Sequence, residues 1–158
     1  MSAKKGFNFR QGERLAKAFN KHKVDYLLIG KSGAIVLGFP GTTQDVDVYP
    51  KKDAENGKKI IAALTELKFK LDKKTKEAII GGKDFVQIKT GPFDIDLVFA
   101  PDGFENYDEI KQRAVRVRKL FPVANIHDII KSKEAAKRPR DLMDLPLLKE
   151  FAKTVKSE

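Results

Sequence analysis

The sequence contains no cysteine and only two histidines, His22 and His127. Without cysteine there is no disulfide framework, no thiolate nucleophile, no iron–sulfur cluster and no cysteine-ligated zinc. Two histidines also exclude a three-histidine zinc site. A metal ion must therefore be held mainly by carboxylates, which favours magnesium or manganese (Mg²⁺ or Mn²⁺). Acid–base chemistry falls on Asp, Glu, Lys or Tyr for the same reason.

Long apolar runs are also missing. The runs Tyr26–Ile29 and Ala34–Leu37 are four residues each, whereas a membrane-spanning helix needs about 20. The basic segment 1–6 has no apolar stretch behind it, which predicts no signal peptide and a cytoplasmic protein without a membrane partner. The chain has 158 residues, of which 41% are hydrophobic and 34% charged. This composition predicts one folded domain spanning residues 1–158.

Charge is unbalanced, with 32 Lys and Arg against 22 Asp and Glu, a net charge of +10. Either this is a solvated surface, or it attracts a polyanion such as a nucleoside triphosphate or a nucleic acid. Arg113, Arg116 and Arg118 alternate with Val115 and Val117. That alternation predicts a strand with one basic face, which either contacts RNA or is merely solvated.

Hydrophobic periodicity indicates helices and strands in an alternating order. The predicted helices are 10–23, 32–37, 53–67, 125–136 and 139–151; the predicted strands are 24–29, 44–49 and 93–99, with a hairpin over 78–88. This order predicts an α+β (α/β) fold around a mixed sheet, with helices packed mainly on one face and two C-terminal helices.

The segment Gly30-Lys31-Ser32-Gly33 joins a buried strand to a helix. It is not a P-loop, because the first glycine of that motif would fall at Asp25. A strand that enters a helix through small residues presents free backbone N–H groups to an anion. The alternative is a tight turn with no ligand.

Two strands carry paired aspartates. In each strand, alternation places both carboxylates, Asp45 with Asp47 and Asp94 with Asp96, on one face and apolar residues on the other. One pair alone could be the solvated face of an edge strand. Two such pairs in a basic protein are hard to explain as solvated faces, and if the two strands lie side by side, three or four carboxylates converge, as in two-metal phosphoryl or nucleotidyl transfer.

The residues from Val24 to Leu148 resemble the DNA polymerase beta-like nucleotidyltransferase superfamily. The resemblance begins with Leu28–Ala34, Gly38 and Thr42–Val48, which match a Gly-(Gly/Ser) turn followed by Asp-x-(Asp/Glu) on a strand. In the later strand, Asp96 fits the position of the third carboxylate better than Asp94.

The C-terminal segment resembles small prokaryotic members of that superfamily, among them the abortive-infection-type toxins. Lys133 followed by Arg138-Pro139-Arg140-Asp141 and Asp144 matches their Lys…Arg-x-(Lys/Arg)-Asp-x-x-Asp motif. Two positions depart from the pattern: Lys31 replaces a glycine or serine, and Gly41 replaces an arginine common in relatives.

The resemblance implies a nucleotidyltransferase fold and the transfer of a nucleoside monophosphate from a triphosphate such as ATP to a hydroxyl acceptor. Catalytic and metal-binding roles then fall on Asp45, Asp47 and Asp96, with Mg²⁺ or Mn²⁺. The implied nucleotide-binding residues are Gly30, Lys31, Ser32, Thr43, Lys133 and Asp141. RNA, possibly a tRNA end, is the favoured acceptor over a small hydroxylated molecule, and an antitoxin is a conceivable partner. A degenerate nucleotide- or RNA-binding module and a metal-dependent nuclease are the alternatives.

Overall fold

The computed structural model describes residues 8–155, so the segment 1–6, in which no signal peptide is predicted, lies outside the described residues. Within this range the helices are α1 (Phe9–Lys21), α2 (Gly30–Val36), α3 (Ala54–Glu66), α4 (Lys73–Gly81), α5 (Tyr107–Arg113), α6 (Ile126–Ala136) and α7 (Pro139–Ala152). The strands are β1 (Tyr26–Ile29), β2 (Asp45–Pro50), β3 (Phe85–Ile88), β4 (Asp94–Val98), β5 (Val115–Val117) and β6 (Phe121–Val123). None of the helices in residues 8–155 combines the length and the apolarity needed to cross a membrane.

The six strands form one mixed sheet in the order β3-β4-β2-β1-β6-β5. β2 pairs with β4 in parallel, and β1 with β6 in parallel. The pairs β1–β2, β3–β4 and β5–β6 are antiparallel. The predicted fold class, α and β elements around a mixed sheet, is confirmed.

The register of β2 and β4 separates an apolar face from a polar one. Asp45 lies opposite Asp94, and Asp47 lies opposite Asp96. Because paired residues share a face, the aspartates are on one side of the sheet and the intervening valine, isoleucine and leucine residues are on the other. Those apolar residues are fully buried in a core shared with α1, α3 and α4.

The predicted hairpin over 78–88 is wrong in its first half. Residues 78–80 belong to the last turns of α4, and only β3 is a strand. Asp72 caps this helix by accepting a hydrogen bond from the backbone N–H of Thr75 at 2.7 Å, and Gly82 ends it in the left-handed conformation, with φ at +65°. Burial of Ile79 against the core favours the helix over an exposed hairpin.

The predicted basic strand is present only as β5, and its prediction as one basic face is wrong. Arg113 ends α5, Arg116 lies in β5, and Arg118 lies in the following turn with φ at +54°. Asn106 caps the start of α5, since its side chain accepts a hydrogen bond from the N–H of Glu109 at 3.2 Å. The helix that begins there includes Arg113 as its last residue. The three arginines therefore do not form one basic face.

Asn56 ties the outer ends of β1 and β2 to α3. Its side chain is 4% exposed, donates to the carbonyl oxygens of Asp25 and Lys51 at 2.9 and 2.8 Å, and accepts from the N–H of Asp25 at 2.8 Å. Buried backbone groups need such partners. The amide therefore helps to hold the two central strands in register.

We expect Asn56→Ala to lower the free energy of unfolding by about 2–4 kcal/mol, because it removes three hydrogen bonds to partly buried backbone groups, of which the carbonyl of Asp25 keeps another partner, the N–H of Lys51. Urea denaturation measures the change. Thr65→Ala is the control, since its exposed hydroxyl bonds only to Ile61 of its own helix. Equal stability of the two variants would contradict the role of Asn56.

Candidate active site

Three aspartates meet at the centre of the polar face. Asp45 and Asp47 come from β2, and Asp96 comes from the adjoining strand β4. The carboxyl group of Asp96 is within hydrogen-bonding contact of both others. All three line one cleft, whereas Asp94 is not among the residues lining it. The parallel pairing of β2 and β4 therefore produces the predicted convergence, with Asp96 as the third member.

The turn from β1 into α2 lies directly against Asp47. Gly30 has φ at +64°, a conformation that favours glycine, and a Cβ at this position would collide with Oδ2 of Asp47. Ser32 accepts a hydrogen bond from the backbone N–H of Asp47 at 2.9 Å and donates to the carbonyl of Ile29 at 3.1 Å. The turn thus fixes the backbone of β2 beneath the carboxylates.

The side chain of Ser32 faces the protein backbone, whereas nucleotide binding by Ser32 stays a prediction. Ser32 is 0% exposed and is not among the residues lining the cleft. Its hydroxyl already forms hydrogen bonds with the backbone of Ile29 and of Asp47. The serine in this motif therefore helps to position Asp47.

Crowding changes the protonation of the aspartates. Burial, reinforced by the charge of Asp96, raises the pKa of Asp47 from 3.8 to about 7, although Lys133 acts in the opposite direction. Burial and the charge of Asp45 also raise the pKa of Asp96, which a hydrogen bond from Gln87 partly offsets. The cluster binds protons because it concentrates negative charge where water is scarce.

The donor set suits a hard divalent cation, which would relieve this repulsion with oxygen ligands alone. In residues 8–155, however, no three histidine, aspartate or glutamate side chains are already arranged around one ion. The three aspartates fit a hard divalent ion in the chemistry of their oxygen donors.

The opposite wall of the cleft is basic and comes from α6 and α7. Asp141, whose side chain is 4% exposed, accepts from Lys133 at 3.2 Å and from Arg138 at 2.8 Å. Burial alone would raise the pKa of Asp141, but these hydrogen bonds outweigh it and lower the pKa. Asp141 therefore holds Lys133 and Arg138 in place, and its carboxylate is not free for a nucleotide.

The remaining predicted nucleotide-binding residues lie at the cleft. Lys31 lines it and approaches Asp144 at 3.8 Å. Thr43 also lines it, and its hydroxyl donates to the carbonyl of Asp45 at 3.3 Å. The cleft has a volume of about 720 Å³, which lies within the range of small-ligand sites.

Gln87 is a site residue that the sequence analysis missed. It lies on β3 opposite Asp96 and donates from Nε2 to Oδ1 of that aspartate at 3.2 Å. The alternation of β3 could have placed Gln87 on a polar face, but nothing in the sequence indicates which strand is its neighbour.

Comparison with solved structures identifies the fold. The lincosamide antibiotic adenylyltransferase LnuA, in its lincomycin-bound form, superposes with a TM-score of 0.60 at 16% identity, over 93% of this chain and 99% of that one. A Thermotoga maritima protein assigned as a nucleotidyltransferase gives 0.52 at 13% identity, over 92% of each chain. No protein-family model and no curated protein sequence matches significantly. The chain has the fold seen in nucleotidyltransferases.

Gly30→Ala tests the contact between the turn and Asp47. We expect a loss of about 2–4 kcal/mol in the free energy of unfolding, from the left-handed backbone and from the collision. Gly81→Ala is the matched control, because a Cβ there meets open space at the end of α4 and should be neutral or stabilising by up to about 1 kcal/mol. Urea denaturation measures the free energy of unfolding of both variants. An equal change in the two variants would contradict a contact between Gly30 and Asp47.

Asp47→Asn tests the crowding of charge. Because the folded pKa of about 7 exceeds the usual 3.8, ionisation destabilises the wild type as pH rises through this window. Without divalent ions, the variant should be more stable by about 1–3 kcal/mol at pH 8 and equal to the wild type below pH ~4.

Asp72→Asn supplies a control of opposite sign. A hydrogen bond from the backbone N–H of Thr75 lowers the pKa of Asp72, so this substitution should reduce stability near neutral pH. Denaturation curves from pH 4 to 8 measure both variants. A pH-independent difference between Asp47→Asn and the wild type would refute the crowding of charge.

Proposed function

We propose that the protein is a nucleotidyltransferase that moves a nucleoside monophosphate from a nucleoside triphosphate to a hydroxyl acceptor. One observation carries the proposal: Asp47 and Asp96 lie side by side on parallel strands, against the Gly30 turn. In a nucleotidyltransferase fold, this is where paired carboxylates can serve phosphoryl chemistry.

Asp45, Asp47 and Asp96 would hold Mg²⁺ or Mn²⁺. When bound, such ions neutralise the charge of the phosphate oxygens and lower the pKa of the attacking hydroxyl. The raised pKa values of Asp47 and Asp96 support this role, because burial and neighbouring negative charge disfavour their ionised forms, which a divalent cation would stabilise.

The triphosphate would lie between Gly30 and the basic wall. Gly30 lets the backbone come close to a phosphate, since it has no side chain. Lys133 is held by Asp141 but keeps N–H donors for a phosphate oxygen, and Arg138 adds a second cation. The acceptor oxygen attacks the α-phosphorus, the bond to the bridging oxygen breaks, and pyrophosphate leaves.

A small hydroxylated molecule is the acceptor that the charges favour, in place of the expected RNA. Among the described residues, seven aspartates but only four basic side chains, Lys31, Lys133, Arg138 and Arg140, line the cleft. Three of those four are already near a carboxylate. Despite the net charge of +10, the described residues of this cleft form no continuous basic surface for the phosphate backbone of an RNA, whereas a single triphosphate needs only the wall that carries Lys133 and Arg138. The antibiotic bound to the structural neighbour LnuA is consistent with a small acceptor.

The resemblance to abortive-infection toxins, with its antitoxin partner, stays a prediction. So does the cytoplasmic location. The transfer reaction is testable without either.

The test incubates the purified protein with Mg²⁺ or Mn²⁺, each α-labelled nucleoside triphosphate, and either total RNA or a panel of hydroxylated antibiotics. We expect labelled product with a small acceptor. Asp47→Asn and Asp96→Asn should lower the rate at least about a thousandfold, because they remove charge that acts on the reacting phosphate. Asp94→Asn is the matched control, since Asp94 lies on the same strand two residues away and should retain activity.

Each other outcome selects another function. Nucleotide binding without product would indicate a degenerate binding module, and shortened RNA would indicate a nuclease. Labelled RNA would keep the reaction but replace the small acceptor. Equal losses in Asp94→Asn and Asp96→Asn would mean that the substitutions act through folding, so thermal unfolding accompanies every assay.

A further inference from the structure

Gln87 occupies the boundary between two cavities. β3 is the edge strand of the sheet, and Gln87 lines both the candidate active-site cleft and a second groove beside the start of α4. Its neighbours Val86 and Ile88 point into the core. The side chain of Gln87 therefore stands on the polar face, at the outer side of the carboxylate cluster.

The antiparallel register sets Gln87 directly opposite Asp96. Its Nε2 donates to Oδ1 of Asp96 at 3.2 Å. Asp96 is 8% exposed and is repelled by the charge of Asp45, and its own charge acts on Asp47, which lies opposite it on β2. Gln87 lies on β3, on the opposite side of β4 from the two other aspartates. Its hydrogen bond to one oxygen of Asp96 therefore restricts rotation of the Asp96 carboxylate.

The amide suits this position better than a charged group would. Lysine or arginine would pair with Asp96 and compete with a divalent ion for its oxygens. Glutamate would add a further negative charge and remove the donor. Glutamine donates a hydrogen bond while leaving the full charge on Asp96.

We propose that Gln87 is a positioning residue: its hydrogen bond to Oδ1 fixes the Asp96 carboxylate, so that Oδ2 serves the acceptor side of the reaction. This inference rests on the proposed transfer reaction. It also concerns metal binding by the protein alone, because a carboxylate held in one rotamer binds an ion with less loss of side-chain freedom.

The experiment compares the wild-type full chain with Gln87→Leu, Gln87→Glu and Gln112→Leu. Gln112 is an exposed glutamine on α5 that does not line the cleft, so Gln112→Leu is the matched control. Mn²⁺ affinity is measured by electron paramagnetic resonance of the free ion, without nucleotide. Steady-state transfer gives kcat and the KM for the triphosphate, and thermal unfolding monitors folding.

For Gln87→Leu we expect Mn²⁺ affinity to fall roughly tenfold and kcat to fall about tenfold to a hundredfold. KM for the triphosphate should stay within about twofold, since the phosphates would contact the opposite wall. Gln87→Glu should separate the two readouts: it binds Mn²⁺ more tightly through the added carboxylate but still loses kcat. Unfolding temperatures should stay within about 2 °C, because the position is exposed at a sheet edge.

The inference is overturned if Gln87→Leu matches Gln112→Leu in both Mn²⁺ affinity and kcat. It is also overturned if Gln87→Glu retains full kcat, because the donor would then be dispensable. If the wild type transfers no nucleotide but Gln87→Leu alone weakens Mn²⁺ binding, the proposed reaction fails while the positioning of Asp96 by Gln87 stands.

Discussion

The parallel pairing of β2 with β4 is the constraint on which the site depends. It sets Asp47 beside Asp96 on the polar face while burying the apolar residues between them on the other. The same alternation thus builds the core and concentrates the negative charge. Mutual repulsion in a partly buried setting opposes folding, so the neighbouring elements must hold the aspartates in position.

Each neighbouring element contributes a different kind of support. In the β1–α2 turn, Gly30 leaves room for the Asp47 carboxylate, and Ser32 accepts a hydrogen bond from the backbone N–H of Asp47. β3 provides an uncharged donor, and α6 provides Lys133, whose charge partly offsets that of Asp47. Lys133 can be nearly buried because Asp141 pairs with it. The cationic wall therefore depends on Asp141 as much as on the cations themselves.

Features set by local alternation were predictable from the sequence, and features set by long-range pairing were not. The faces of β2 and β4 followed from residues two apart, and the superfamily resemblance indicated Asp96 over Asp94. The partner of β3, and with it Gln87, depended on strand order. The backbone contacts of the Ser32 hydroxyl were not predictable either, because a motif position does not show whether a hydroxyl faces a ligand or the backbone. Residues 78–80 are helical because they belong to α4, which begins at the cap formed by Asp72. The two glycines that follow end this helix and do not form a hairpin turn.

The net charge of the chain likewise does not predict the charge of the cleft. A net charge of +10 describes the average surface, but a ligand at the cleft experiences mainly the groups within about 10 Å, because salt screens the remainder. There the aspartates outnumber the basic side chains, and Asp141 and Asp144 neutralise much of the basic wall. Arg113 is paired with Asp128, away from the cleft. For the proposed transfer reaction, the local charge balance of the cleft, rather than the total charge of the chain, therefore favours a compact acceptor over the long phosphate backbone of an RNA.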